Sequence, residues 1–171
     1  AILELIFSTG MRISEVVSLD RDNIKMDSNG RIVDNKLYIS GKGKKQRFVY
    51  ITDRALHYIN MYLEKRKDTY PALFTPTKGT RKATENPYIV RLSANYIQMK
   101  IKEYRTKLGI IVPTSGHSLR HGFATYLAEE GANPVAIQRL LGHASLQTTS
   151  RYVHGSDTFA EKTHREHHPL G

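Results

Sequence analysis

The chain has 171 residues, enough for one domain with a sizeable core and short for two. Its 39% hydrophobic content and mixed charges exclude a disordered chain, and no apolar run reaches the ~18 residues of a membrane span or resembles a signal peptide. Twenty-six Lys and Arg against 16 acids leave a formal net charge of +10, which points to a polyanion, nucleic acid first, while the lack of cysteine excludes disulfides and thiolate metal sites and fits a reducing cytoplasm.

In chain order, "AILELIF" opens inside a helical pattern without an initiator Met, so we read an excised fragment whose missing N-terminal part holds another domain. Apolar residues at Ile2, Leu3, Leu5 and Ile6, then Ile13, Val16, Val17 and Leu19, predict two short helices meeting at a corner at Thr9-Gly10. "DSNG" is a turn. "KLYIS" and "RFVYI" read as strands joined by "GKGKKQ". Thr52 or Asp53 caps a helix carrying Leu56, Ile59 and Leu63, and residues 70–85 read as a surface loop. Asn86-Pro87 opens a helix to about Leu108. A helix follows from about Ser118 to Glu130, with Leu119, Phe123 and Leu127 marking its buried side and Gly131 stopping it. Asn133-Pro134 starts the next, and Ser145 caps a last short helix reaching Tyr152. The sum is an α+β, mainly α chain, with helices around a small antiparallel hairpin or three-stranded sheet. A polar tail follows.

Four segments carry chemistry together: "TGMRISE" at 9–15, "GKGKKQR" at 41–47, "HSLRH" at 117–121 and "LLGHASLQTTSRYVH" at 140–154. "HSLRH" alone is compatible with an ordinary polar helix face. All four in this order, with nine residues from His143 to Tyr152, resemble the catalytic domain of the tyrosine recombinases (phage integrase family), closest to the Xer recombinases. The likeness covers almost the whole chain.

The resemblance implies a catalytic set of Arg12, Lys42, His117, Arg120, His143 and Tyr152. It implies cleavage of one DNA strand by attack of Tyr152 on the scissile phosphate. A 3′-phosphotyrosine and a free 5′-hydroxyl result, and a partner strand then exchanges. No metal or nucleotide cofactor is implied, because the covalent link conserves the phosphodiester energy. The chemistry is consistent residue by residue. A phenol with a pKa near ~10 needs a base, for which His117 is the candidate. Arg12 and Arg120 match the non-bridging oxygens of the transition state, each contributing roughly 3 kcal/mol. The resemblance implies that His143 hydrogen-bonds the phosphate. It also implies that a hairpin lysine protonates the departing oxygen: Lys42 aligns with that role, with Lys44 the alternative. Lys44, Lys45 and Arg47 complete a basic hairpin expected to grip DNA. Glu15, at i+3 from Arg12, is expected to orient that clamp, and His121 to support the site.

The tail histidines His164, His167 and His168 lack an acidic or cysteine complement and are not read as a metal site. From the resemblance we expect a catalytic domain over 1–156 and a tail over 157–171, an exchanged helix anchored by Phe159 and Leu170. The same likeness implies a missing N-terminal core-binding domain. Expected partners are double-stranded DNA with paired half-sites and a homo- or hetero-tetramer on it, with no membrane insertion, in the cytoplasm. The role expected is Xer-like chromosome dimer resolution. A mobile-element integrase, a type IB topoisomerase or a non-catalytic DNA-binding module are the alternatives.

Overall fold

Helices α1 (Ile2–Thr9) and α2 (Ile13–Ser18) form where their apolar spacing buries Leu5, Ile6 and Val16 completely. Gly10 turns the chain between them at φ 63°, a left-handed conformation that suits glycine, and its N–H caps α1 on the Ile6 carbonyl. The corner read from the sequence is therefore present. The computed structural model describes residues 1–40, 46–76, 86–143, 145–150, 152, 161 and 164–166, in two compact units, Ala1–Phe123 and Ala124–Gly171.

In the first unit β1 (Lys36–Ser40) pairs antiparallel with β2 (Gln46–Tyr50), Leu37 opposite Val49 and Ile39 opposite Arg47. Alternation sends Leu37, Ile39 and Val49 into the core and leaves the Tyr38 and Phe48 rings in a tilted contact, 4.8 Å between centroids, on the outer face. Among the described residues the sheet has these two strands, so the hairpin form of the expectation is the one adopted. Thr52 caps α3 (Asp53–Glu64) by accepting the Ala55 N–H, which settles the choice between Thr52 and Asp53.

The helix expected from Asn86-Pro87 through Leu108 is instead a 3-10 turn at Pro87–Ile89, an extended link, and α4 (Ala94–Lys107). Val90 and Leu92 are buried at a spacing of two, and the Leu92 N–H bonds to the Phe74 carbonyl. Arg91 reaches the Val17 carbonyl and Asp20. Tertiary contacts thus hold this link extended, and Ser93 starts the helix by accepting the Tyr96 N–H at 3.1 Å.

Helix α5 (Gly116–Glu129) starts two residues before its expected position. Ser115 and Ser118 each accept the other's backbone N–H, at 3.1 and 3.2 Å, a reciprocal cap that Gly116 and His117 are wound into. Its buried line runs through Gly116, Arg120 and Ala124, while Leu119, Phe123 and Leu127 are half-buried. The expected apolar face is thus a flank. The reason sits at Gly116, where a Cβ would lie 2.1 Å from Ile13 Cδ1 and 2.4 Å from Cγ1. Only a bare backbone lets α5 approach α2 this closely.

Gly116→Ala is expected to lower unfolding free energy by about 1–3 kcal/mol in urea titration, since overpacking outweighs the modest propensity gain of alanine. Ile13→Ala opens the same space, so the two substitutions together should cost less than their sum. Additive costs would contradict this packing.

In the second unit Asn133 caps α6 (Pro134–Leu141), with its side chain accepting the Val135 N–H at 2.8 Å and proline at the first turn, as the sequence predicts. Gly142, at φ 64°, ends α6, and α7 (Leu146–Ser150) follows. Ile137, Leu141 and Thr149 are fully buried here. Residues 161 and 164–166 are helical. Among the described residues no helix is long and apolar enough to cross a membrane.

Candidate active site

The Thr9-Gly10 corner positions two arginines. Arg12 sits at the N-cap of α2, and Glu15, at the third helical position, accepts the Arg12 backbone N–H at 2.8 Å. The same carboxylate takes Arg12 Nη1 at 3.1 Å, so Glu15 orients both the main chain and the guanidinium of Arg12. Arg120 comes to this corner from α5 and donates through Nη1 to the Gly10 carbonyl. It is 5% exposed, whereas His117, one turn earlier, is exposed, so the i,i+3 interval places the two in different surroundings.

Arg47 faces inward. Its guanidinium binds Glu15 with both Nη atoms, each at 2.9 Å, and its side chain is 9% exposed. The sequence reading put it among DNA-gripping residues of the hairpin. The physical signal against an outward role was present, because Arg47 is two residues from buried Val49 and shares its face of β2. Lys42, Lys44 and Lys45 lie outside the described residues, as do Phe159, His167, His168 and Leu170.

Burial works to raise the Glu15 carboxyl. The hydrogen bond from Arg47, that from the Arg12 backbone and the charges of both guanidinium groups outweigh it, holding the carboxyl below its ordinary value. A lowered folded value means that the unfolded chain takes up its proton first as pH falls. The stabilisation is therefore complete above about pH 5 and is lost below the ordinary glutamate pKa of ~4.3, as the pH passes through the lowered folded value. In acid-unfolding series, Glu15→Gln should show a shallower loss of stability below pH 5 than the parent chain. Identical slopes would remove Glu15 from the acid response.

The second unit holds the other pair. The His143 backbone N–H bonds to the Gln138 carbonyl at the end of α6, and Gln138 Nε2 donates to the His143 carbonyl. His143 Nδ1 shares a 3.0 Å hydrogen bond with the Thr149 hydroxyl, while the Thr149 carbonyl accepts the Tyr152 N–H at 3.0 Å. The rings of His143 and Tyr152 lie 6.3 Å apart and 19° from parallel. Thr149 was missed by sequence reasoning. Its one signal is its place three residues before Tyr152, where a helical carbonyl meets that residue's N–H. His121 and His164 are both exposed.

The arrangement supplies, within the first unit, two guanidinium groups anchored to one backbone corner. Within the second it supplies a phenol beside an oriented imidazole. Both are what phosphoryl chemistry at a tyrosine requires.

Comparison with known proteins agrees. The tyrosine recombinase XerC of Chlamydia muridarum is 36% identical over 168 residues, covering 98% of this chain and 50% of that protein. The crystal structure of XerA recombinase superposes with a TM-score of 0.71 at 26% identity, over 97% of this chain and 55% of that one. The pre-cleavage complex of the XerH site-specific recombinase bound to its difH substrate gives 0.71 at 25% identity, over 95% and 44%. The chain thus spans about half the length of the curated relatives it matches. The sequence pattern of the phage integrase family matches residues 1–158, and with it the motif order, the mainly helical fold and the Xer likeness converge: the chain belongs to the phage integrase family.

Proposed function

We propose that this chain is the catalytic domain, over residues 1–156, of a cytoplasmic site-specific tyrosine recombinase that cleaves and rejoins duplex DNA. Residues 157–171 serve as the segment exchanged between protomers of a tetramer on paired half-sites. The observation that carries this reading is the anchoring of Arg12, through Glu15, and Arg120, through the Gly10 carbonyl, to a single corner. Paired arginine forks suit a pentavalent phosphate, whose charge spreads over its non-bridging oxygens.

The Tyr152 oxygen attacks phosphorus and the bond to the 5′-oxygen breaks. The phenolic proton passes to His117, and Lys42 or Lys44 protonates the departing 5′-oxygen. His143 donates to a phosphate oxygen. Attack by the partner strand's 5′-hydroxyl reverses each transfer and frees Tyr152, so the bond energy is kept and no hydrolysis is called for. The net charge of +10 supports DNA as the polyanion. The identity to XerC supports an Xer-like role in chromosome dimer resolution over integration of a mobile element.

The test is a nicked suicide duplex of the target site, incubated with the full protein in the presence of chelator. A covalent adduct through the 3′-phosphate is the expected product. DNA binding without adduct on a cognate site would leave a non-catalytic binding module instead.

A further inference from the structure

Among the described residues Glu15, Arg12 and Arg47 meet in one cluster, and these three charges sum to one positive. Glu15 is 6% exposed and Arg47 9%, yet Arg12 keeps 38% of its side-chain exposure. Arg47 makes the two-pronged contact with the carboxylate at 2.9 Å, and Arg12 the single contact at 3.1 Å. A buried carboxylate demands a cation, and a planar fork satisfies both of its oxygens at once. With Arg47 in place that demand is met, and the positive charge left over in the cluster belongs to its most exposed member, Arg12.

We propose that Arg47 is a positioning residue for the reaction: by neutralising Glu15 it keeps the charge of Arg12 directed to the scissile phosphate. The inference rests on the recombinase reading above. Without Arg47, Glu15 has Arg12 as its remaining cation in this cluster, and the pair closes into a neutral unit that no longer attracts an anion. Lysine is a poor replacement, because a point charge does not reproduce the two-pronged contact. Arg47 is also the second residue of β2, directly after the segment 41–45 that carries Lys42. The brace therefore fixes the base of the catalytic hairpin to the helix that bears Arg12.

The experiment compares cleavage rates of the full protein on an ordinary scissile phosphate and on a neutral methylphosphonate at the same position. Arg47→Met should slow cleavage of the charged substrate by roughly 30-fold or more, the scale of a weakened oxyanion donor. The neutral substrate asks less of Arg12, so the loss there should shrink to a few-fold. Adding Glu15→Gln to Arg47→Met removes the anion that captures Arg12 and should recover part of the charged-substrate rate, a non-additive pair. Equal losses on both substrates with no recovery would reduce Arg47 to a structural brace. A wild-type cleavage rate with weaker DNA binding and a shallower salt dependence would make it a DNA contact.

Urea unfolding reads the same claim without DNA. Arg12→Ala should cost little stability beside intact Arg47 and clearly more in the Arg47→Met background, where Arg12 has become the main counter-charge. Equal costs in both backgrounds would overturn the proposal. A wild-type protein that binds its site and forms no adduct counts against the recombinase reading, and the unfolding comparison still decides the brace.

Discussion

Tyr152→Phe is expected to leave the protein folded and bound to DNA, with the covalent adduct below detection. The substitution removes one oxygen and keeps the ring that stacks on His143 at 6.3 Å. The backbone hydrogen bond from position 152 to the Thr149 carbonyl is untouched. Binding should persist because it rests on contacts spread over the basic surface, and its salt dependence should be unchanged. The substitution removes the proposed nucleophile itself, so the rate is expected to drop by on the order of 10⁴-fold or more. Gel shift and adduct assays on one suicide duplex separate the two quantities. An adduct that survives in Tyr152→Phe would assign the nucleophile to another tyrosine.

Arg120→Ala carries the second large effect, and it has two parts. Loss of one fork at the phosphate should reduce cleavage by roughly 10²–10³-fold, the range for a single preorganised donor. Loss of the hydrogen bond to the Gly10 carbonyl at a 5% exposed position should also destabilise the fold, by about 1–3 kcal/mol for an orphaned buried acceptor. Arg120→Lys separates the parts. Its ammonium has one compact charge, so it serves either the carbonyl or the phosphate, and much of the stability should return while cleavage stays slow. Recovery of full cleavage in Arg120→Lys would show that charge alone is needed there. Melting curves and single-turnover rates provide both measurements.

How far the sequence could be read follows from the range of the forces involved. Elements set by local signals were legible: the Gly10 corner, the Asn133-Pro134 start and the hairpin strands all rest on backbone preferences within a few residues. The helix expected across 86–108 was not, because Arg91 and Leu92 are held by Val17, Asp20 and Phe74, partners distant in sequence. At the site, residue types and spacing were enough to propose Glu15 as a partner of Arg12, and the structure gives that contact. The burial of Arg120 was not legible from its place in the helix, three residues after exposed His117. A buried arginine reads from sequence as a surface one, since nothing in the chain near it announces the carbonyl that receives it. Arg47 lies between these cases. Strand alternation put it on the inner face, but the run of basic residues beside it suggested the opposite.

The bond from His143 to Thr149 has a kinetic consequence. His143 and Tyr152 are tied to the same residue, one through its hydroxyl and the other through its carbonyl. In the proposed reaction the nucleophile and the phosphate donor are therefore held by one residue before DNA arrives. Bringing them to one phosphorus orders one body instead of two independent side chains, and most of that entropic cost was met when the domain folded. Thr149→Val, which keeps the shape and deletes the hydroxyl, should remove this link to the imidazole while leaving the Tyr152 backbone bond in place. Its penalty should fall on the turnover step, with substrate affinity unaffected.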